Sequence, residues 1–213
     1  VRRPDPQALW RKHLPARVWE EVDALFDRDA EKAGWKFNKE LPERWQMSFA
    51  ELQFWIRPSS FKHTGIFPEQ AANWDWIRAR IKEHGARSKD TVQVLNLFGY
   101  TGGASIAAAQ AGATVCHVDG SKVAIGWARD NATLSGLNDK PIRWILDDAV
   151  KFVKREIKRG RKYDGIIMDP PSFGHGPGGE IWKIEEHFLE LFDLCREVLS
   201  DKPRFFLING YAS

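Results

Sequence analysis

The sequence predicts an α/β fold, with a doubly wound and mostly parallel sheet and a small α+β lobe at its N-terminus. Beyond residue 90, five short apolar segments alternate with four helix-like segments. This alternation is typical of a parallel sheet that carries helices on both faces. The strands are predicted at residues 92–98, 114–118, 142–146, 163–168 and 205–208, and the helices at residues 104–111, 121–135, 149–159 and 185–199.

A chain of 213 residues is long enough for one sizeable core and one small lobe. We expect the lobe over residues 1–60, which are rich in proline, tryptophan and charge, and the α/β domain over residues 61–213. Local patterns before the first sheet strand predict, in chain order, a helix, a β-hairpin, a linker and a second helix, at residues 15–29, 45–57, 61–73 and 74–84.

Composition excludes several classes of protein. No apolar run is long enough to span a bilayer, and no signal peptide opens the chain. Cys116 and Cys195 give neither a disulfide framework nor a metal-binding spacing, so we predict no metal site and a cytoplasmic setting. The net charge of +3 is a weak indication of a polyanionic partner. Because the chain opens on Val1 and stops just after the last predicted strand, we expect a fragment of a longer protein, of open oligomeric state.

The stretch Asp169-Pro170-Pro171-Ser172-Phe173 directly follows an apolar run over residues 165–168. Proline cannot continue a strand ladder, and it restricts the residue before it to extended conformations. The pattern therefore predicts a buried strand that ends abruptly and holds Asp169 at its carboxyl end, where open α/β sheets bind their ligands. An ordinary strand-ending turn is the alternative interpretation.

A glycine-rich turn over residues 99–103 joins the first predicted strand to its helix. Glycine there lets the backbone approach a ligand and present amide N–H groups at the start of the helix. The dinucleotide fingerprint requires glycine where this chain has Thr101 and Ala104, which disfavours a nicotinamide oxidoreductase. The observed spacing suits a ligand that lacks a pyrophosphate.

Acidic residues end the next two predicted strands. Asp119 closes the second strand, where a carboxylate accepts both ribose hydroxyls of an adenosine ligand. Asp147 and Asp148 follow the third strand, placed to accept from an adenine amino group. Capping of the next helix is an equally weighted role for this pair, and one residue can serve each purpose.

Together these motifs resemble the class I S-adenosylmethionine-dependent methyltransferases, and specifically the ribosomal RNA methyltransferase branch with Phe-x-Tyr-Thr-Gly-Gly and Asp-Pro-Pro-Ser-Phe motifs. The resemblance covers residues 61–213, including the segment 63–70. It implies S-adenosyl-L-methionine as the cofactor, with Asp119 at the ribose and Asp148 at the adenine. The implied cofactor-binding residues are Phe67, Asn96, Phe98, Gly99, Thr101, Gly103, Asp119, Ser121, Asp147, Asp148 and Asp169, and the implied catalytic residues are Asp169, Pro170 and Phe173.

Two features depart from that family pattern. The family usually has aspartate where this chain has Asn96, which can hydrogen-bond but has no charge to pair with the cofactor's ammonium group. The family also continues past the fifth strand into a terminal hairpin, so the resemblance implies a class I methyltransferase fold that is truncated at its C-terminus.

The chemistry of the motif favours a nitrogen target. Asp169 and the Pro170 carbonyl can hold an amino or ring N–H, and Phe173 can stack on a base or lie in the core. Methylation of carbon 5 of a pyrimidine needs a nearby thiolate, and neither Ser172 nor residues 209–213 supply a cysteine. The glycine-rich residues 174–183 are expected to form a mobile flap or a plain surface loop.

We therefore predict a methyltransferase that modifies a base in RNA, most simply ribosomal RNA. The alternatives are a methyltransferase of a protein side chain or small molecule, and a non-catalytic RNA-binding module with a vestigial cofactor fold. A basic helix face contributes either a phosphate-binding patch or a solvated surface, and it comprises Lys151, Lys154, Arg155, Lys158 and Lys162.

Overall fold

The computed structural model describes residues 1–2, 13–27, 33–59, 62–86 and 90–210. The chain divides into two compact units. The first comprises Val1–Met47 and Phe54–Ile66, and the second comprises Ser48–Gln53 and Phe67–Ser213. This division ends the N-terminal unit at Ile66 rather than after residue 60, and it assigns the tip of a hairpin to the larger unit.

The described residues of the first unit begin with a short helix and two antiparallel strands. Helix α1 covers Ala16–Glu20, and it is followed by strands β1 (Ala24–Asp27) and β2 (Gly34–Phe37). The predicted helix over residues 15–29 is therefore wrong beyond residue 20, and its last two residues lie outside the described part of the chain. In β1, burial alternates, with Ala24 and Phe26 inside, and the Phe26 ring meets Trp35 of β2 edge-on at 5.4 Å. This strand packing outweighs the helical spacing of the apolar residues.

The hairpin predicted over residues 45–57 is confirmed. Strands β3 (Trp45–Phe49) and β4 (Leu52–Ile56) pair through a turn at Ala50 and Glu51. Both turn residues have positive φ values, 49° and 63°, as a two-residue hairpin turn of matching twist requires.

The second unit is built on a five-stranded parallel sheet in the order β11-β8-β5-β6-β7. This architecture confirms the predicted fold class. The sheet strands are β5 (Gln93–Leu97), β6 (Thr114–Asp119), β7 (Ile142–Leu146), β8 (Gly165–Met168) and β11 (Phe205–Ile208). The helices are α2 (Ala71–Gly85), α3 (Gly103–Gln110), α4 (Lys122–Leu134), α5 (Ala149–Lys158) and α6 (Ile184–Glu197), and a 3-10 turn covers Pro68–Gln70.

Two differences from the expected elements lie in this unit. The predicted linker over residues 61–73 contains the 3-10 turn and the first turn of α2, and its residue 61 is outside the described chain. The glycine-rich flap forms a small antiparallel hairpin of β9 (Phe173–His175) and β10 (Ile181–Lys183). Within the described chain, no helix has the length and apolar character that a membrane crossing needs.

The sheet is buried on both faces, which explains why its central strands are mostly apolar. On one face, side chains such as Leu97 and Met168 pack against α5 and α6. On the other face, side chains such as Val94 and Ile167 pack against α2 and α3. Polar groups are therefore expected mainly at the ends of the strands.

A buried carboxylate fixes α5 to the sheet. Glu156, 1 % exposed, accepts a hydrogen bond of 2.6 Å from the Tyr163 hydroxyl and one of 2.9 Å from Arg159. Burial acts to raise the pKa of Glu156, but these hydrogen bonds and the charges of Arg143 and Arg159 outweigh it and lower that pKa. The folded state is therefore stabilised while Glu156 is ionised, and this contribution is lost as pH falls through the lowered pKa.

Replacing the buried hydroxyl tests this contact. Tyr163→Phe leaves a buried carboxylate oxygen without its donor, and we expect the free energy of unfolding to fall by about 1–3 kcal/mol in urea at neutral pH. The loss should shrink as pH falls, because protonation of Glu156 then relieves the unpaired charge. In a Glu156→Gln background the same substitution should cost less, and an equal cost in both backgrounds would contradict the coupling.

Candidate active site

The registers of the parallel strands bring three sequence motifs to one edge of the sheet. Leu97 pairs with Met168, and Met168 pairs with Ile208. The next residue of each strand is therefore at the same carboxyl edge, namely Phe98, Asp169 and Asn209. Asp119 ends β6, which is the neighbour of β5 on its other side. This edge is where open α/β sheets bind ligands.

The turn after β5 is held in an uncommon backbone conformation. Phe98 and Tyr100 have φ values of 55° and 48°, in the left-handed region, and Gly102 has 89°. Such a conformation costs about 1–3 kcal/mol at each non-glycine residue, and it persists where surrounding contacts enforce it. Here the Phe98 ring packs on Trp182 at 4.8 Å, and the Tyr100 ring lies 5.5 Å from that of Phe67.

At two positions of the turn, only glycine leaves room for a neighbouring aromatic ring inside the protein. A Cβ atom on Gly99 would lie 2.4 Å from the His117 ring, and one on Gly103 would lie 2.4 Å from the Trp74 ring. The glycines therefore let these aromatic rings pack against the turn. The sequence interpretation assigned glycine to close approach of a ligand, and that role stays a prediction beside this packing role.

Asn96 belongs to a buried chain of polar side chains. Its amide nitrogen donates to the Ser105 hydroxyl at 2.8 Å, and the same hydroxyl lies 2.9 Å from Nδ1 of His117. All three residues are at most 2 % exposed. Burial lowers the pKa of His117 to about 3, so its imidazole is neutral at physiological pH. The chain fixes the Asn96 amide without any net charge.

The Asp119 carboxylate is oriented by two backbone amides. One oxygen accepts from Tyr100 N and the other from Ser121 N, both at 2.8 Å. Burial raises the pKa of Asp119, and the two backbone hydrogen bonds oppose that shift. A carboxylate has about four acceptor positions, and these amides occupy one on each oxygen. One further position on each oxygen suits a pair of neighbouring hydroxyls.

The acidic pair after β7 divides its roles. Asp148 caps α5, because its side chain accepts from Lys151 N at 2.9 Å. Asp147 accepts from Asp148 N at 2.9 Å and pairs with Arg155. Ser121 likewise caps α4, accepting from Ala124 N at 3.2 Å. Helix capping is therefore present at two predicted cofactor-binding residues, whose roles toward a ligand stay predictions.

Asp169 is held by two amide side chains that the sequence interpretation left without a role. Asn209 donates to one carboxylate oxygen at 2.9 Å, and Gln70 lies 3.4 Å from the other. Burial raises the pKa of Asp169, the hydrogen bond from Asn209 lowers it, and the charge of Glu69 raises it again. The register of β11 beside β8 places Asn209 next to Asp169, and no pattern in the sequence reveals that register.

The hairpin β9–β10 is anchored at several points. Trp182, 4 % exposed, donates to the Pro171 carbonyl at 2.7 Å. Glu180 pairs with Lys151 of α5 at 2.5 Å. The hydrogen bond from Lys151 is the largest cause that lowers the pKa of Glu180, to about 2. A Cβ atom on Gly120 would lie 2.9 Å from the His175 carbonyl, so the hairpin contacts the residue that follows Asp119.

The basic face of α5 is engaged with the protein itself. Lys151, Lys154 and Arg155 pair with Glu180, Glu190 and Asp147, respectively. Lys162 donates to the Glu197 carbonyl at 2.8 Å, whereas Lys158 is exposed. These contacts give most of the face partners within the protein, and a phosphate-binding role stays a prediction.

A shallow cleft of about 310 Å³ lies beside the proline motif. Its lining is mostly apolar and comes from Pro170, the first turns of α6 and the end of β11: Ile184, Glu185, Phe188, Leu189, Ile208, Asn209 and Gly210. Pro170 is buried and Phe173 is 56 % exposed. The residues 211–213 that follow lie outside the described part of the chain.

The predicted cofactor-binding residues fall into three groups. Phe98, Asp119 and Asp169 lie at the shared edge, and the partly buried Phe67 reaches the turn through Tyr100. Asn96 and Thr101 are almost fully buried, at 2 % and 3 % exposure, so they offer little side-chain surface. A third group serves helix ends or the packing of the turn, and comprises Ser121, Asp147, Asp148, Gly99 and Gly103.

A family model described as S-adenosylmethionine-dependent methyltransferase matches residues 22–183. The chain belongs to this family. A SAM-dependent methyltransferase of known structure from Agrobacterium tumefaciens is 47 % identical, with a TM-score of 0.90 over 99 % of this chain and 66 % of that chain.

Two curated methyltransferases are also similar to this one. The ribosomal RNA large subunit methyltransferase K/L of Chromohalobacter salexigens is 32 % identical over 149 residues, which are 70 % of this chain and 19 % of the relative. The ribosomal RNA large subunit methyltransferase I of Aeromonas salmonicida is 43 % identical over 111 residues, 52 % of this chain and 26 % of the relative. The methyltransferase chain thus spans well under half the length of either curated relative.

S-adenosylmethionine is the cofactor of the methyltransferase family, and the edge described above fits it. The oriented carboxylate of Asp119 matches the two hydroxyls of a ribose. The strained turn of residues 98–102 begins helix α3 beside that carboxylate. Cofactor binding by Asp119 and this turn stays a prediction.

Removing the Asp119 carboxylate should weaken cofactor binding. Asp119→Ala loses two charge-assisted hydrogen bonds to the ribose, so calorimetric titration with S-adenosylmethionine should give an affinity lower by about tenfold to a hundredfold. Asp139→Ala, which removes the same charge from an exposed loop residue, is the control and should bind normally. An unchanged affinity in Asp119→Ala would remove the ribose assignment.

Proposed function

We propose that this methyltransferase transfers a methyl group from S-adenosylmethionine to a nitrogen atom of a base in RNA, with ribosomal RNA as the substrate. The observation that carries the proposal is the position of Asp169. Its carboxylate lies at the shared sheet edge, fixed by Asn209 and followed by Pro170 and the exposed ring of Phe173.

The residues of the motif supply position and hydrogen-bond acceptors. S-adenosylmethionine supplies the activated methyl group. Asp169 and the Pro170 carbonyl accept from the N–H groups of the target, which directs the nitrogen lone pair at the methyl carbon. As the N–C bond forms, the methyl–sulfur bond breaks to leave S-adenosylhomocysteine, and the nitrogen gives up its proton to Asp169. Holding the reacting atoms in line contributes most of the rate in such a displacement. Phe173 offers its ring to the face of a base.

Burial of both cysteines supports nitrogen over carbon 5 of a pyrimidine as the target. Cys116 is 3 % exposed within β6, and Cys195 is fully buried in α6. Burial raises the pKa of Cys116 to about 11 and that of Cys195 to about 12, so both remain thiols at neutral pH. A thiol that must add to the ring has to be a thiolate and reach the target. Neither cysteine of this chain meets these conditions.

The choice of RNA rests on two further supports. The motif Asp169-Pro170-Pro171-Ser172-Phe173 resembles that of ribosomal RNA methyltransferases. The relatives from Chromohalobacter and Aeromonas carry that activity in their names. We place the reaction in the cytoplasm, where ribosomal RNA is accessible and free cysteines stay reduced.

A labelling experiment tests the function. Full-length protein is incubated with methyl-labelled S-adenosylmethionine and total RNA, and the RNA is digested to nucleosides. We expect label in an N-methylated nucleoside from ribosomal RNA. Label in 5-methylcytidine, or a covalent adduct with 5-fluorocytosine-containing RNA, would contradict the nitrogen target. Label in protein alone would contradict the RNA substrate, and no transfer would indicate a non-catalytic fold.

Asp169→Asn tests the acceptor role separately from folding. The amide keeps the shape and the oxygen that Asn209 contacts, so the melting temperature should barely change while turnover falls about a hundredfold or more. In the wild type, turnover should fall as the pH is lowered. The midpoint of this fall should lie at a pH above the usual aspartate pKa, since burial raises the pKa of Asp169. Ser172→Ala in the same loop is the control. A destabilised Asp169→Asn whose folded fraction is fully active would favour a purely structural turn.

A further inference from the structure

The hairpin β9–β10 has two chemically different faces. Its register pairs Phe173 with Lys183, Gly174 with Trp182, and His175 with Ile181. Side chains of directly paired residues share a face, so Gly174 and the buried Trp182 lie on one side. The opposite side carries Phe173, His175, Ile181 and Lys183, all of them exposed.

The exposed face combines apolar, aromatic and cationic groups. Phe173 and Ile181 are 56 % and 55 % exposed, although both are residue types that proteins usually bury. The Phe173 and His175 rings meet edge-on at 5.0 Å. Lys183 contributes a cation, and no carboxylate belongs to this face. Aromatic rings beside cations are the chemistry that binds single-stranded nucleic acid.

Several contacts hold the hairpin close to the turn after β5, to Asp119 and to Asp169. Its buried face meets the Phe98 ring through Trp182, at 4.8 Å. Its His175 carbonyl lies against Gly120, the residue that follows Asp119. Its first residue, Phe173, is also the last residue of the proline motif and lies four positions after Asp169 in the sequence. One face of the hairpin therefore packs against the turn after β5, while the opposite face is exposed to solvent.

We propose that the exposed face of this hairpin binds the nucleotides that flank the target base of a single-stranded RNA segment. The inference rests on the proposed function and names the protein surface that holds its substrate. Phe173 and His175 stack on bases, Ile181 extends the apolar floor, and Lys183 contacts a phosphate.

Both charged residues of the hairpin, Glu180 and Lys183, are ion-paired. Its one carboxylate, Glu180, is neutralised by Lys151. Lys183 pairs with Glu186 at 2.7 Å, but both side chains are about half exposed, and such a surface pair contributes little. Lys183 can therefore exchange this partner for a phosphate at small cost.

Binding of a fluorescent 16-nucleotide single-stranded RNA of mixed sequence tests the proposal. Titrations use full-length protein saturated with S-adenosylhomocysteine. Phe173→Ser should weaken RNA binding by about tenfold to a hundredfold, through loss of base stacking, and Ile181→Ser should weaken it less. Lys183→Gln should reduce the salt dependence of binding by about one phosphate contact. The affinity for S-adenosylhomocysteine should not change, which also shows that the variants are folded.

Phe37→Ser is the matched control, because Phe37 has the same side chain and 55 % exposure on the hairpin of the other unit. Normal RNA binding by Phe173→Ser and Ile181→Ser, or equal weakening by Phe37→Ser, would overturn the proposed surface. If the wild type methylates RNA while the hairpin variants bind RNA normally, the proposed binding surface is contradicted and the proposed function is not. If the wild type transfers methyl groups to no RNA, the proposed function itself fails.

Discussion

The carboxylate of Asp119 is the contact on which the geometry of the site depends. It ends β6, and it accepts the backbone N–H of Tyr100 in the turn after β5 and that of Ser121 at the start of α4. One side chain thus joins the ends of two sheet strands and the beginning of a helix. The left-handed backbone at Tyr100 is held by this hydrogen bond, so the shape of the turn and the direction of the carboxylate are set together.

The pattern of residues was sufficient to predict the parallel sheet, because its strands are buried on both faces and its turns carry glycine and proline. The order of acids along the sheet edge was predictable for the same reason: a parallel strand always presents its carboxyl end at that edge. Side-chain partners were not predictable. Nothing local indicates that Asn209 contacts Asp169, or that His117 and Trp74 fill the space beside two glycines, since these contacts join residues far apart in the chain.

The sequence patterns also failed to predict some short secondary-structure elements. Residues 24–27 form a strand although the apolar spacing around them is helical, and the glycine-rich segment 174–183 contains most of a hairpin. In both cases tertiary contacts decide the local structure. For the hairpin, these contacts are the buried Trp182 ring and the ion pair between Lys151 and Glu180, which no local propensity encodes.

The replacement of aspartate by Asn96 has a physical explanation in the buried polar chain. Asn96 contacts Ser105, which contacts a His117 that burial keeps neutral. A carboxylate at this position would be a buried charge beside a neutral imidazole, and burying a charge is costly unless a partner such as the cofactor's ammonium group offsets it. The neutral amide donates to Ser105 without adding a charge to this buried chain.

A crystal structure of the full-length protein with S-adenosylhomocysteine tests the central assignment most directly. The account predicts both ribose hydroxyls within hydrogen-bond distance of the Asp119 carboxylate, with Tyr100 N and Ser121 N still bound to it. The homocysteine sulfur should then point toward Asp169. A ribose bound elsewhere, or an Asp119 carboxylate contacted by the backbone amides alone, would contradict the account.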